Sequence, residues 1–144
     1  SGVRFVNDSI SSTPVATVAA LEAFAGQKIT LLVGGLDRGL DWAPYITRIG
    51  MLLPNAIIGI PDSGPRIIRE MRDAGVSPEN GIHEAADLEA AVELAGKLAL
   101  PGGVVLLSPG APSFPRYNDY RDRGQQFALL SGFDFSEQEP FPAR

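Results

Sequence analysis

Three apolar runs constrain what this chain can fold into: KITLLV at 28–33, NAIIGI at 55–60 and VVLLS at 104–108. None alternates apolar with polar residues, as a strand with one wet face would. A short, continuous Val/Ile/Leu run bounded by turn residues marks a strand covered on both faces. Each run stops at a loop of Gly, Pro, Ser or Asp, and a helix-like segment lies beyond it. Strands that alternate with helices in this way predict a three-layer, Rossmann-like α/β domain. The expected sheet is mostly parallel, with five or six strands.

The remaining segments fit that frame. VRFVN at 3–7 reads as a first strand, and GIHE at 81–84 as a short one. Thr13 is a good N-cap and Pro14 suits the first position of a helix running to about Gly26. Asp41 is placed to cap a helix over 42–51. Pro65 opens a helix over 66–74, which Gly75 ends. A helix is predicted over 87–98, with Leu88, Ala91, Val92 and Ala95 on one stripe, and another over 117–130. Residues 1–130 are read as the domain. Residues 131–144 are read as a largely irregular tail, from which Phe133, Phe135 and Phe141 could pack on the body and whose first part could add an edge strand.

Composition excludes several functions. The 144 residues suffice for one domain with a real core. A net charge of −5 argues against nucleic-acid binding. No run is long enough to span a membrane. The absence of cysteine removes thiol chemistry and fits a cytoplasmic protein. A start at Ser1-Gly2-Val3, with no initiator Met and almost at once a strand, reads as a piece of a longer protein.

In a parallel α/β sheet, ligands bind outside the carboxyl ends of the strands. The loops at 8–13, 34–41, 61–64 and 108–116 gather there. Gly34-Gly35 could cradle a phosphate, but the loop matches neither the dinucleotide fingerprint nor the P-loop, and a simple glycine turn is preferred. Arg38 beside it suits a carboxylate or phosphate, unless it is merely a solvated surface cation. Asp8, Ser9, Ser11, Ser12 and Thr13 make a hydroxyl-rich approach to a helix N-terminus, where anions bind. Capping explains one of those hydroxyls, not the run. His83, the sole histidine, has no partner for a metal site. Ser113 in PGAPSF is not a nucleophile elbow. No complete catalytic set is visible, and no metal site is expected; the features are those of a binding surface.

Three segments in order carry a resemblance: FVNDS with TPVATVAAL at 5–9 and 13–21, LVGGLDRGLD at 32–41, and LLSPGAPSF with YRDRGQQF at 106–114 and 120–127. Together they resemble the C-terminal domain of the Mur ligases, over about residues 3–130. The nearest branch adds glutamate to UDP-N-acetylmuramoyl-L-alanine in peptidoglycan synthesis. The resemblance implies a three-domain, ATP- and Mg2+-dependent amide-bond ligase. In such enzymes the central domain holds the P-loop and most of the ATP and magnesium site, and the N-terminal domain binds the UDP-sugar. The C-terminal domain binds the amino acid and closes over the central one. The isolated domain is then expected to be inactive, with glutamate, UDP-N-acetylmuramoyl-L-alanine and its own two other domains as partners.

Residue by residue, the resemblance implies that Asp8 faces the ATP ribose. Ser12, Arg38, Ser113 and Tyr120 fall where the family holds glutamate, Tyr120 through its backbone. There are departures. Ile10 stands where the family has Lys, and Leu36 where Asp or Lys is usual. Arg38 replaces a Lys, and Pro112 stiffens the loop before Ser113. These changes resemble a variant branch that adds L-glutamate instead of D-glutamate; side-chain types alone leave the enantiomer open. Two other readings stand: a nucleotide- or anion-binding module without catalysis, and a folylpolyglutamate synthase-like domain.

Overall fold

The computed structural model describes residues 2–132 and the backbone of 139–140. Its elements in order are β1 (Arg4–Asn7), α1 (Pro14–Ala23), β2 (Ile29–Val33), α2 (Ala43–Leu52), β3 (Ala56–Gly59) and α3 (Gly64–Asp73). They continue as β4 (Ile82–Glu84), α4 (Leu88–Leu98), β5 (Val104–Leu107), α5 (Tyr120–Leu130) and β6 (Glu139–Pro140). The strands form one sheet in the order β4-β3-β2-β5-β1-β6, and every pairing is parallel.

The chain steps from β1 through β2 and β3 to β4 toward one edge, then turns back through β5 to β6. Right-handed crossovers therefore place the helices of the two halves on opposite faces. The core divides accordingly. Leu31, Val33, Ile57 and Leu106 pack with Val18 and Leu21 of α1, Ile46 and Ile49 of α2, and Ile67 and Met71 of α3. Leu32, Ile58, Val105 and Leu107 point the other way, onto Leu88, Ala91 and Val92 of α4 and Phe127 of α5. Every residue of β2, β3 and β5 is buried, which is why those three runs carry no polar alternation. Each large side chain so buried contributes about 1.5–3 kcal/mol of transfer free energy.

The helix starts follow local chemistry. Thr13 is extended at φ −136° and its hydroxyl accepts from the Ala16 amide, with Pro14 at the first helical position. Asp87 caps α4 by accepting from Ala90 N at 2.8 Å. Other starts differ from expectation: α3 begins at Gly64, with Pro65 in its first turn, and not at residue 66. The last helix begins at Tyr120, three residues after 117, because Asp119 is extended (φ −161°) and takes the Asp122 amide at 2.9 Å. The second begins at Ala43, with buried Trp42 in the capping position and no side-chain cap there. Asp41 still accepts from Ala43 N at 3.0 Å, one residue early. In the tail, Glu139 and Pro140 pair with Val6 and Asn7 as an edge strand; Phe133, Phe135 and Phe141 lie outside the described residues.

Candidate functional site: the cleft at the carboxyl edge

At the carboxyl edge, β5 sits between β1 and β2, and its chain leaves toward the opposite face from theirs. Such a reversal opens a crevice beside the strand ends. The loops around it are tied together closely. Ser108 Oγ donates to Asp8 Oδ2 at 2.7 Å, and Thr17 Oγ1 donates to the Ser108 carbonyl at 3.0 Å. The Gly110 amide donates to Ser11 Oγ at 3.2 Å. On the other side, Gly34 N donates to Pro109 O and Leu36 N to Pro112 O, both at 2.9 Å.

The glycine pair is explained by this packing. The Gly35 amide donates to Ser63 Oγ at 3.1 Å, and the Gly35 carbonyl accepts from the amides of Asp62 and Ser63 at 2.9 Å. A Cβ at Gly35 would stand 2.7 Å from the Pro112 oxygen, and Gly34 has a φ of 121° that side chains avoid. The amides a phosphate would need are already donated within the protein, so the loop is a close-packed junction and not a phosphate cradle.

The hydroxyl run before α1 is likewise accounted for. Ser9 and Ser11 are buried and bonded across to the β5 loop and α5; Thr13 is the cap. Ser12 is half-buried, and its hydroxyl makes no hydrogen bond among the described residues.

A narrow cleft runs between 34–36, 60–62 and 112–117. Its enclosed space is about 10 Å³, roughly that of one water. Ser113 lines it. The residue is only 8% exposed, yet its hydroxyl has no hydrogen-bond partner among the described residues. Arg116 and Asp62 face each other across the mouth at 3.5 Å, both exposed. Tyr117 forms part of the wall, and its burial raises the pKa of its phenol.

The floor is Arg123, which is 1% exposed. Its Nε donates to Ser9 Oγ at 2.8 Å, Nη2 to Ser9 O at 2.6 Å and Nη1 to Ala111 O at 2.9 Å. Burial lowers its pKa to about 10, against the opposing pull of Tyr117 and Asp8, so it is charged at neutral pH. No carboxylate forms an ion pair with it among the described residues.

Of the residues singled out from sequence, Ser113 lines the cleft. Ser12, Arg38 and Tyr120 occupy the same edge but not its lining. Arg38 is exposed at the tip of the 34–41 loop. That loop is braced by a two-pronged bond from Arg66 of α3 to Asp37, at 2.9 and 3.1 Å, which lowers the Asp37 pKa. The Tyr120 carbonyl accepts from Ser9 Oγ at 2.7 Å. Asp8 is buried at 1% exposure beneath the loops. Arg123 had no role assigned from sequence. The signal for it was an arginine on the stripe it shares with Phe127, four residues on, where a solvated cation does not belong.

The fold is that of a domain of the doubly wound parallel class, with a cleft at its carboxyl edge. No protein-family profile matches the chain. It is 50% identical over 137 residues to a UDP-N-acetylmuramoyl-L-alanine–L-glutamate ligase of Xanthomonas oryzae pv. oryzae, covering 92% of this chain and 29% of that protein. A protein of the same name from Xylella fastidiosa is 48% identical over 135 residues, again covering 92% and 29%. A third, from a Micromonospora species, is 41% identical over 128 residues, covering 89% and 27%. The chain resembles the C-terminal domain of these ligases over nearly its whole length. It spans less than a third of the length of these relatives.

Proposed function

We propose that this chain is the amino-acid-binding domain of a cytoplasmic, ATP-dependent ligase that adds L-glutamate to UDP-N-acetylmuramoyl-L-alanine. The observation that carries this reading is identity near 50%, across almost the whole domain, to relatives that bear that name. In such a reaction the muramoyl-alanine carboxylate takes a phosphoryl group from ATP. The glutamate amine attacks the acyl phosphate, an amide forms and phosphate leaves. ATP with Mg2+ supplies the activation. The metal is assigned mainly to the central domain.

This domain's part is to bind and aim the amino acid. Ser113 offers an uncommitted hydroxyl to the side-chain carboxylate, at the edge of a cleft with a buried cation as its floor. Ser12, Arg38 and the Tyr120 backbone supply further contacts as the domain closes, and the loop that covers buried Asp8 lies toward the ribose side. The cleft's small volume requires its lips to part when glutamate binds.

The test is phosphate release by the full-length enzyme with UDP-N-acetylmuramoyl-L-alanine and each glutamate enantiomer. Turnover should need ATP, the nucleotide and L-glutamate together. Turnover with D-glutamate alone, or with neither enantiomer, would overturn the reading.

A further inference from the structure

The two halves of the proposed pocket come from sequence segments about a hundred residues apart, and one side chain joins them. Ser9 and Ser12 lie on the loop after β1; Ala111 and Ser113 lie on the loop after β5. Arg123 projects from α5 between them, holding Ser9 through both its hydroxyl and its carbonyl and Ala111 through its carbonyl. Ser9 in turn holds the Tyr120 carbonyl at the start of α5. The Arg123 guanidinium also touches the glycine loop, since a Cβ at Gly35 would meet Nη1 at 3.0 Å. One planar fork thus sets the spacing of the loops after β1, β2 and β5 at the point where the cleft has its floor.

The acceptors it uses are all uncharged. Burying a guanidinium whose hydrogen bonds all go to neutral oxygens is costly, a cost the pull of Asp8 offsets only in part, and a hydrophobic side chain would fill the same space more cheaply. A planar fork with several fixed donors can bridge two loops in a set geometry, which the point charge of lysine cannot do.

We propose that Arg123 is a positioning residue for the amino-acid cleft: by clamping the Ser9 loop to the Ser113 loop, it sets the affinity for the incoming amino acid without touching it. The assignment rests on the reading that this cleft receives glutamate. It adds a residue whose influence is exerted through Ser9 and Ala111.

The experiment uses the full-length ligase and its steady-state kinetics, each variant measured well below its own melting temperature. Arg123→Lys keeps the charge and loses the fork. It should raise the KM for L-glutamate about tenfold, with kcat and the KM for ATP within about twofold of the parent. Ser9→Ala removes the bond from Arg123 Nε and the bond to the Tyr120 carbonyl at little cost in volume, and serves if Arg123→Lys folds poorly. It should raise the same KM, and the double variant should show less than the product of the two single effects. An unchanged glutamate KM in both single variants, or a parallel rise in the ATP and glutamate KM values, would overturn the assignment and leave Arg123 a packing residue. Ser113→Ala separates this failure from failure of the underlying reading. If it raises the glutamate KM while the Arg123 and Ser9 variants do not, only the clamp is wrong. If it too changes nothing, the cleft is not the glutamate site and both readings fall.

Discussion

The Nη2 of Arg123 and the backbone oxygen of Ser9 lie 2.6 Å apart although 114 positions separate them in the chain. That bond closes a ring through α5, the β5 loop and the β1 loop. Together with the bonds of Ser108, Ser11 and Leu36, it ties the loops of the carboxyl edge to one another. The site's rigidity resides in this buried layer, and its chemistry in the few groups the layer leaves uncommitted.

Ser113 is foremost among those groups. A hydroxyl bonded to a charged carboxylate contributes about 1.5–3 kcal/mol. Ser113→Ala in the full-length ligase should therefore raise the glutamate KM by about tenfold or more. The melting temperature should stay close to the parent's, because no intradomain bond to the hydroxyl is lost.

Arg38 should behave differently from Arg123. It is exposed and has no ion-pair partner among the described residues, so Arg38→Ala should leave thermal unfolding unchanged. If Arg38 meets a glutamate carboxylate on closure, the variant's glutamate KM rises while its KM for ATP does not. Equal values for parent and variant would remove Arg38 from the pocket.

Asp37 gives a prediction with a pH signature. Its carboxyl is held below 3.8, chiefly by the hydrogen bond from Arg66. A depressed folded-state pKa stabilises above the unfolded value and ceases to do so as pH falls through the folded one. Asp37→Asn should thus lower stability at pH 7, by no more than about 1 kcal/mol for so exposed a pair, read as a lower melting temperature. Parent and variant should converge as pH falls through the folded-state pKa of Asp37. Parallel curves across that range would show the pair contributes nothing through charge.

In the core, Phe127→Ala should cost about 3–5 kcal/mol. Phe127 is fully buried against α4 and the sheet, and its ring lies 6.1 Å from that of Phe5. Denaturant unfolding measures the loss. A value under about 1 kcal/mol would mean that this face repacks around the gap.

The layered sheet was legible because β2, β3 and β5 are apolar on both faces and their loops are punctuated by Gly and Pro. Two helix starts were displaced by tertiary packing: burial of Trp42 took the cap position beside Asp41, and Asp119 claimed the start that Tyr117 would have had. Ser113 and its loop could be singled out from residue types and family resemblance together. Arg123 was missed because its role depends on three acceptors brought from remote loops, and no local pattern announces such a bond. Ser9 and Ser11 looked like an anion-binding surface for the same reason; only the fold shows them turned inward.

The position of β5 has a consequence for biosynthesis. It is inserted between β1 and β2, while β6 lies beyond β1. Arg4 and its neighbours therefore have no strand to pair with until Val104 and those after it have been made. The nascent chain carries β1 without its sheet partners until residue 104 has been made, and a ribosome stalled before that point holds a β1 that none of β2, β3 and β4 pairs with. Shielding that first segment, by a chaperone or by upstream domains already folded, becomes a requirement imposed by strand order and not by any residue in the cleft.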